Sequence, residues 1–212
     1  MIVKLQEVVQ DLIWHFRHRN LDTIGHWLSE TSRIFFYHRI EYFVLTRSLK
    51  EPLPSLKARL PIAYHVAEPD DLSCLKDTIL PSKLAYFRNR LAHGRICILG
   101  FHQNNVAAYG WITDEVVFNI DNLQLRLGPG DAYVDDIYTL PTYRRQGIGG
   151  ELHLRCLQYL KERGFKRSVL IVRMDNVPAL KTDKKLGYKE SDRLSFRRKF
   201  FKREYRYHND RF

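Results

Sequence analysis

Between an aromatic, β-branched run and an amphipathic one, the chain carries Tyr138-Thr-Leu-Pro-Thr-Tyr-Arg-Arg-Gln-Gly-Ile-Gly-Gly150. This segment restricts the fold more than any other. AYVDDIYTL before it reads as a strand, and Gly149–Arg163 after it reads as a helix with apolar residues every three or four positions. Gly147 and Gly149 remove side chains and permit positive φ, so successive backbone N–H groups can converge on an anion at the positive end of that helix. Arg144 and Arg145 add fixed positive charge beside them. The product is a nest of diphosphate size. A dinucleotide-binding turn has the same strand–glycine–helix order, but Gly-x-Gly-x-x-Gly is incomplete here because Leu152 stands where the third glycine belongs. A Walker loop is excluded, since no Gly-Lys-Ser/Thr follows.

The elements around this loop predict a mixed α/β fold. A strand at Ile62–Ala67 leads to the helix-start signal Glu68-Pro69-Asp70-Asp71 and a helical region reaching His93. RICILGF and VAAYGWIT, joined by the turn His102–Asn105, predict an antiparallel hairpin. A less regular stretch covers Asp114–Gly130. Downstream come the strand RSVLIVR, a short helix near Ala179–Leu186 and a strand-rich tail. The expected architecture is a mixed sheet with helices on both faces and at least one parallel strand–helix–strand unit. Ahead of it, Leu5, Val8, Val9, Leu12, Ile13 and Phe16 predict an amphipathic helix, and the run Arg33–Leu49 suits one or two strands. Lys50–Pro61, with three prolines, reads as a linker, which divides the chain into an extension over 1–60 and a main domain over 61–212.

The formal net charge of +11 favours an anionic partner without choosing one. Cys74, Cys97 and Cys156 form no Cys-x-x-Cys pair, and the nine histidines show no ligand spacing, so neither a disulfide framework, a zinc site nor any other metal site is predicted. The histidines read as surface or core residues. No stretch approaches the roughly 18 uncharged residues of a membrane span, and the opening segment lacks a secretory h-region, so the reading is a cytoplasmic protein. The basic, aromatic C-terminal run is explained by terminal strands with solvated arginines, which leaves nucleic acid disfavoured.

The residues Arg144-Arg-Gln-Gly147-Ile-Gly149, preceded by Leu-Pro-x-Tyr-Arg, resemble the signature of the GNAT superfamily of N-acetyltransferases. Asn176-Val-Pro-Ala179 and Leu186-Gly187-Tyr188 match, in order and spacing, two further elements of that family. The resemblance covers roughly residues 62–205. It implies a mostly antiparallel central sheet and an acyl-CoA, most simply acetyl-CoA, as acyl donor. It further implies that the strand ending at Ile137, Tyr138, Thr139 and Leu140 splays from its neighbour and bonds the pantetheine arm. By the same likeness the N–H groups of Arg145, Gln146, Gly147, Ile148, Gly149 and Gly150, beside Arg144, hold the diphosphate, and Asn176 touches the arm. Asn before a Pro-containing first turn is also a helix N-cap, and both readings stand.

Transfer of an acyl group from a thioester to an amine needs a neutral amine, a positioned carbonyl and a proton for the leaving thiolate. Asp135 and Asp136 look like the acidic pair of small-amine acetyltransferases. Strand alternation would send them to opposite faces, with Asp135 preferred as base. For the thiolate the chain departs from the family pattern, because Asp183 stands where many relatives carry a tyrosine. Tyr138 or a water is the substitute, and Tyr188 reads as packed. The function reading is therefore an N-acetyltransferase using direct attack of a primary amine. Two alternatives stay open: a longer-chain N-acyltransferase, and a non-catalytic module on the same fold that senses acyl-CoA or touches nucleic acid or membrane. Peripheral membrane contact through residues 1–50 and a homodimer are open in the same way. Trp27 and Phe35–Tyr37 are candidates to line an acceptor site.

Overall fold

A computed structural model describes residues 38–114, 118–120, 123–125, 127–199 and 202–207. The expectations for the N-terminal helix and for the acceptor-lining aromatics fall outside these, as do residues 1–37 of the segment 1–50 expected to contact a membrane. Among the described residues no helix is long and apolar enough to cross a membrane.

The backbone forms two compact units. Of the described residues, the larger holds those within 40–67, 95–196 and 205–207; the smaller includes residues 68–94. In the smaller unit a 3-10 helix over Pro69–Leu75 opens with the expected signal, as Glu68 and Asp71 form a reciprocal capping box. It is followed by α1 (Pro81–Ala92).

The sheet contains β1 (His38–Ser48), β2 (Ala63–Val66), β3 (Ile96–His102), β4 (Asn105–Thr113), β7 (Asp131–Thr139), β8 (Arg167–Arg173), β9 (Lys189–Lys199) and β10 (Lys202–Tyr207). Their spatial order is β10-β9-β1-β8-β7-β4-β3-β2, and β5 (Phe118–Ile120) and β6 (Leu123–Leu125) pair apart in the stretch expected to be irregular. The fold class is as the sequence predicts, a mixed and mostly antiparallel sheet: β1–β8, β2–β3, β3–β4 and β4–β7 are antiparallel, and β7–β8 is parallel. The crossover between β7 and β8 is α2 (Ile148–Glu162), and α3 (Val177–Lys185) follows β8. The β3–β4 hairpin turns through Gln103 and Asn104, both left-handed at φ 48 and 65, the conformation that a two-residue turn of this hand requires.

Alternation along the central strands produces two apolar layers. Leu45, Ala132, Val134, Leu170 and Val172 meet Ile148, Leu152, Cys156, Leu157 and Leu160 of α2 on one face. Val44, Tyr133, Val169 and Leu194 cluster on the other. β8 feeds both layers, which is why Val169–Val172 is apolar without a break.

Arg33–Leu49 contributes β1, whose residues Tyr42–Ser48 pair with Arg173–Arg167 in the interior of the sheet. Lys50–Pro61 takes no regular structure, as its prolines dictate, yet it is no loose linker. Leu53, Leu56 and Leu60 pack on the core and Ala58 is buried in it. The segment is a strap along α2, held by the N–H of Ala58 donating to Glu151 Oε2 (2.9 Å), and by Lys161 Nζ donating to the Glu51 carbonyl (3.1 Å).

Candidate functional site

Strands β7 and β8 pair only at Asp131–Arg167, Ala132–Ser168 and Tyr133–Val169, and beyond these three positions they part. Arg167 fastens the closed end, where its Nε donates to Asp131 Oδ1 at 2.8 Å. The parting opens a cleft of about 680 Å³. Val134, Asp135, Asp136, Ile137 and Thr139 line one wall and Leu170, Ile171 and Val172 the other. Its mouth is formed by Arg144, Arg145, Gly147, Ile148, Gly149 and Gly150 of the loop and α2, with Asn176 and Ala179 of α3. The splay comes from unequal demands on one strand: β7 stays with β4 to Thr139, while β8 turns away into α3 after Arg173.

The loop has the geometry of an anion nest. Gly147 caps α2 at φ 80 and Arg145 stands at φ 62. The first intrahelical bond runs from the Glu151 N–H to the Gly147 carbonyl (3.1 Å), so the N–H groups of Ile148, Gly149 and Gly150 precede the helical ladder. A Cβ on Gly149 would stand 3.1 Å from Thr139 Oγ1, so the missing side chain lets the helix start close against the strand. From behind, the strap holds the loop: the Arg59 N–H donates to the Gln146 carbonyl at 2.8 Å. Converging main-chain donors, two exposed arginines and a channel leading away between strands fit a diphosphate with a long arm.

The sequence-derived site residues distribute unevenly. Asp135, Asp136, Ile137, Thr139, Arg144, Arg145, Gly147, Ile148, Gly149, Gly150 and Asn176 come together on the cleft. Tyr138, Leu140 and Gln146 are not in its lining. The Tyr138 ring stacks on Tyr109 at 5.2 Å, and its hydroxyl accepts from Arg144 at 3.2 Å. Leu140 donates its N–H to Ala107. Asn176 caps α3, its Oδ1 accepting from the Ala179 N–H at 3.3 Å, and also borders the cleft.

Strict alternation does not hold at the acidic pair. The β4–β7 register passes from Tyr109–Tyr138 to Trp111–Asp135, so β7 carries one extra residue there, and Asp136 is left-handed at φ 47. This bulge brings both carboxylates to the cleft. Their surroundings still differ. The Asp136 charge adds to the burial that pushes the Tyr109 phenol up, and the Asp135 charge contributes, after burial and Cys97, to holding the Cys156 thiol up.

His153 falls among the histidines that read as surface or core residues, and Asp183 stands where the family pattern has a tyrosine. Both line the cleft and both are 4 % exposed. His153 Nε2 lies 2.9 Å from the Tyr188 hydroxyl, and that hydroxyl lies 2.6 Å from Ser168 Oγ. Tyr188 is packed, as expected, and burial holds its phenol protonated far into the alkaline range. No local signal links His153 to Asp183, which are 30 positions apart on different helices.

Comparison with known proteins agrees with this geometry. The GCN5-related N-acetyltransferase from Sphaerobacter thermophilus superposes with a TM-score of 0.57 at 13 % identity, over 84 % of this chain and 56 % of that one. An acetyltransferase of the GNAT family from Novosphingobium aromaticivorans gives 0.54 at 15 %, over 74 % and 63 %. A glucosamine N-acetyltransferase region of a fungal multi-domain beta-N-acetylglucosaminidase gives 0.55 at 16 %, over 83 % and 22 %. At such identities the likeness is one of fold, and the chain spans roughly 56–63 % of the length of these two bacterial proteins. No curated protein sequence matches it. The sequence model of the acetyltransferase (GNAT) family matches residues 62–188, which include the parted strands, the glycine nest and the helix carrying Asp183. The chain therefore belongs to the GNAT family of acetyltransferases.

Proposed function

We propose that the protein is an acyl-CoA-dependent N-acyltransferase that moves an acetyl group from acetyl-CoA to a primary amine by direct attack. The observation that carries this reading is the junction of the parted β7–β8 pair with the nest at the start of α2. One end suits a diphosphate, and the parted strand edges supply amide and carbonyl groups for a pantetheine arm. In this reading the N–H groups of residues 145–150 hold the diphosphate, and Ile137 and Thr139 of β7, with Asn176, flank the arm.

Asp135, directly or through a water, takes the proton of the acceptor amine, and Asp136 is the second candidate. Both stand on the same wall as the arm, so amine and thioester approach from within one cleft. The acceptor class is open to small amines, amino sugars and peptide amines. The fungal neighbour's glucosamine activity gives amino sugars a place in that set.

The test has two parts. Calorimetry with CoA should show binding, and Gly147→Ala should weaken it at least tenfold while circular dichroism shows the fold retained. A left-handed alanine costs about 1–2 kcal/mol and disturbs the donors of the nest. Thiol release from acetyl-CoA across the amine panel should then identify acceptors. Unchanged affinity in Gly147→Ala removes the nest from the proposal. Binding without thiol release for any amine leaves a sensing module in place of an enzyme.

A further inference from the structure

Where the β4–β7 register shifts, Gly110 stands opposite two residues of β7, Asp136 and Ile137. The δ1 methyl of Ile137 lies 2.5 Å from the point at which a Cβ on Gly110 would stand, and the same point is 3.5 Å from Cys156 Sγ and from Leu152 Cδ2 of α2. A side chain on Gly110 would have to displace that methyl, so the bare glycine is what lets Ile137 lie back against β4. Ile137 also lines the cleft and packs on the main core cluster, of which Leu152 and Cys156 are fully buried members. Its side chain is therefore a plug between the cleft and a space walled by Gly110, Leu152 and Cys156.

An acyl chain longer than acetyl needs apolar room beside the thioester, and the described walls of the cleft offer it in one direction. The deep end closes where the strands pair at Tyr133–Val169, and the β8 wall is backed by β1, paired along Tyr42–Ser48. The wall from α2 and α3 carries the polar pair His153 and Asp183, with Nδ1 3.4 Å from Oδ1 and the Tyr188 and Ser168 hydroxyls continuing the contacts behind it. Alkyl carbon pressed there would strip water from polar groups and offer no bond in return. The side plugged by Ile137 is apolar. It also adjoins the reacting end: Asp135 is two residues deeper on the same wall, and after burial and Cys97 its charge helps hold the Cys156 thiol up.

We infer that Ile137 sets the acyl length: with its side chain in place the site takes an acetyl-sized group, and the space behind it is a latent pocket for a longer chain. The inference rests on the acyl-transfer reading above and concerns the donor of that same reaction. A methyl group fits beside Ile137 without moving it. Each further methylene has to push the plug into packed core, and a methylene without room in an apolar pocket costs roughly 10–200-fold in selectivity. Replacing isoleucine by alanine removes as many carbons as separate pentanoyl from acetyl, so pentanoyl is the chain that the opened pocket matches.

The full chain is titrated by calorimetry with CoA, acetyl-CoA and pentanoyl-CoA, which needs no acceptor amine. The parent should bind acetyl-CoA at least about tenfold more tightly than pentanoyl-CoA, and Ile137→Ala should move that ratio about thirtyfold toward pentanoyl-CoA. Because Ile137 also flanks the arm, the ratio is the readout; a lost arm contact weakens both thioesters alike. Adding Gly110→Ala to Ile137→Ala returns a methyl to the vacated space and should restore most of the parent's ratio. Should circular dichroism show Ile137→Ala unfolded, Ile137→Val decides, with a smaller shift in the same direction. A parent that binds the two thioesters equally, a ratio that the deciding variant leaves as in the parent, or a double variant that keeps the ratio of Ile137→Ala overturns the inference and leaves the acyl-transfer reading intact. Failure of all three ligands to bind removes both.

Discussion

Asp136 shows how backbone strain and chemistry meet at one residue. Its φ of 47 lies in the left-handed region, where a side chain costs roughly 1–2 kcal/mol and Asp is among the cheaper occupants. The extra residue of the β7 bulge has to adopt it for the β4 register to resume at Asp135. Asp136→Gly should therefore raise the free energy of urea unfolding by about 1 kcal/mol while lowering turnover, a trade expected where strain serves a site. A glycine variant less stable than the parent would show that the contacts of the carboxylate outweigh the strain. The carboxylates themselves separate by isosteric change. Asp135→Asn and Asp136→Asn should differ in kcat, with Asp135→Asn much the lower, and equal small losses would exclude both as the base.

At the scale of elements, legibility in the sequence followed the range of the interaction. RSVLIVR is β8 residue for residue, the hairpin turn falls at Gln103–Asn104, and the glycine loop opens α2, because each depends on neighbours in the chain. The place of β1 between β9 and β8, the bulge at Asp136 and the His153–Asp183 pair depend on partners far along the chain, so no local pattern announces them. The strap belongs to the same group. Its prolines were legible as breaks in regular structure; its docking was not, because that depends on Glu151 of α2. One carboxylate there accepts from the Ala58 N–H at 2.9 Å, from the Tyr64 hydroxyl at 3.3 Å and from Arg155 at 3.4 Å. Burial, then the Glu151 charge, pushes the Tyr64 phenol up, so it remains a donor throughout the useful pH range. Glu151→Ala leaves a buried N–H without its acceptor and should cost about 2–3 kcal/mol in urea unfolding. It should also weaken CoA binding, because the strap that it anchors holds the Gln146 carbonyl from behind. Glu151→Gln keeps an acceptor and should lose less of both; equal losses for the two variants would mean that charge, and not the hydrogen bond, holds the strap.

For the whole molecule, the proposed function lets the net charge of +11 and the nest make separable contributions to capture of an anionic acyl donor. The charge acts at long range and governs encounter. It is screened within about 10 Å at 0.1 M salt and about 3 Å at 1 M. The nest acts at contact through main-chain N–H groups, which salt screens far less once the ligand is seated. Arg144 and Arg145 are exposed at the mouth, and Arg144 also donates to the Thr139 carbonyl at 3.2 Å, so their charge is fixed in front of the cleft without being buried in it. Raising salt from about 0.05 to about 0.5 M should therefore slow CoA association roughly tenfold and leave dissociation nearly unchanged in stopped-flow measurements. Arg145→Gln should reproduce part of that loss at low salt and show a shallower salt dependence. If salt instead accelerates dissociation, the exposed arginines hold the bound diphosphate themselves, and the division of labour between long-range charge and main-chain donors is reversed.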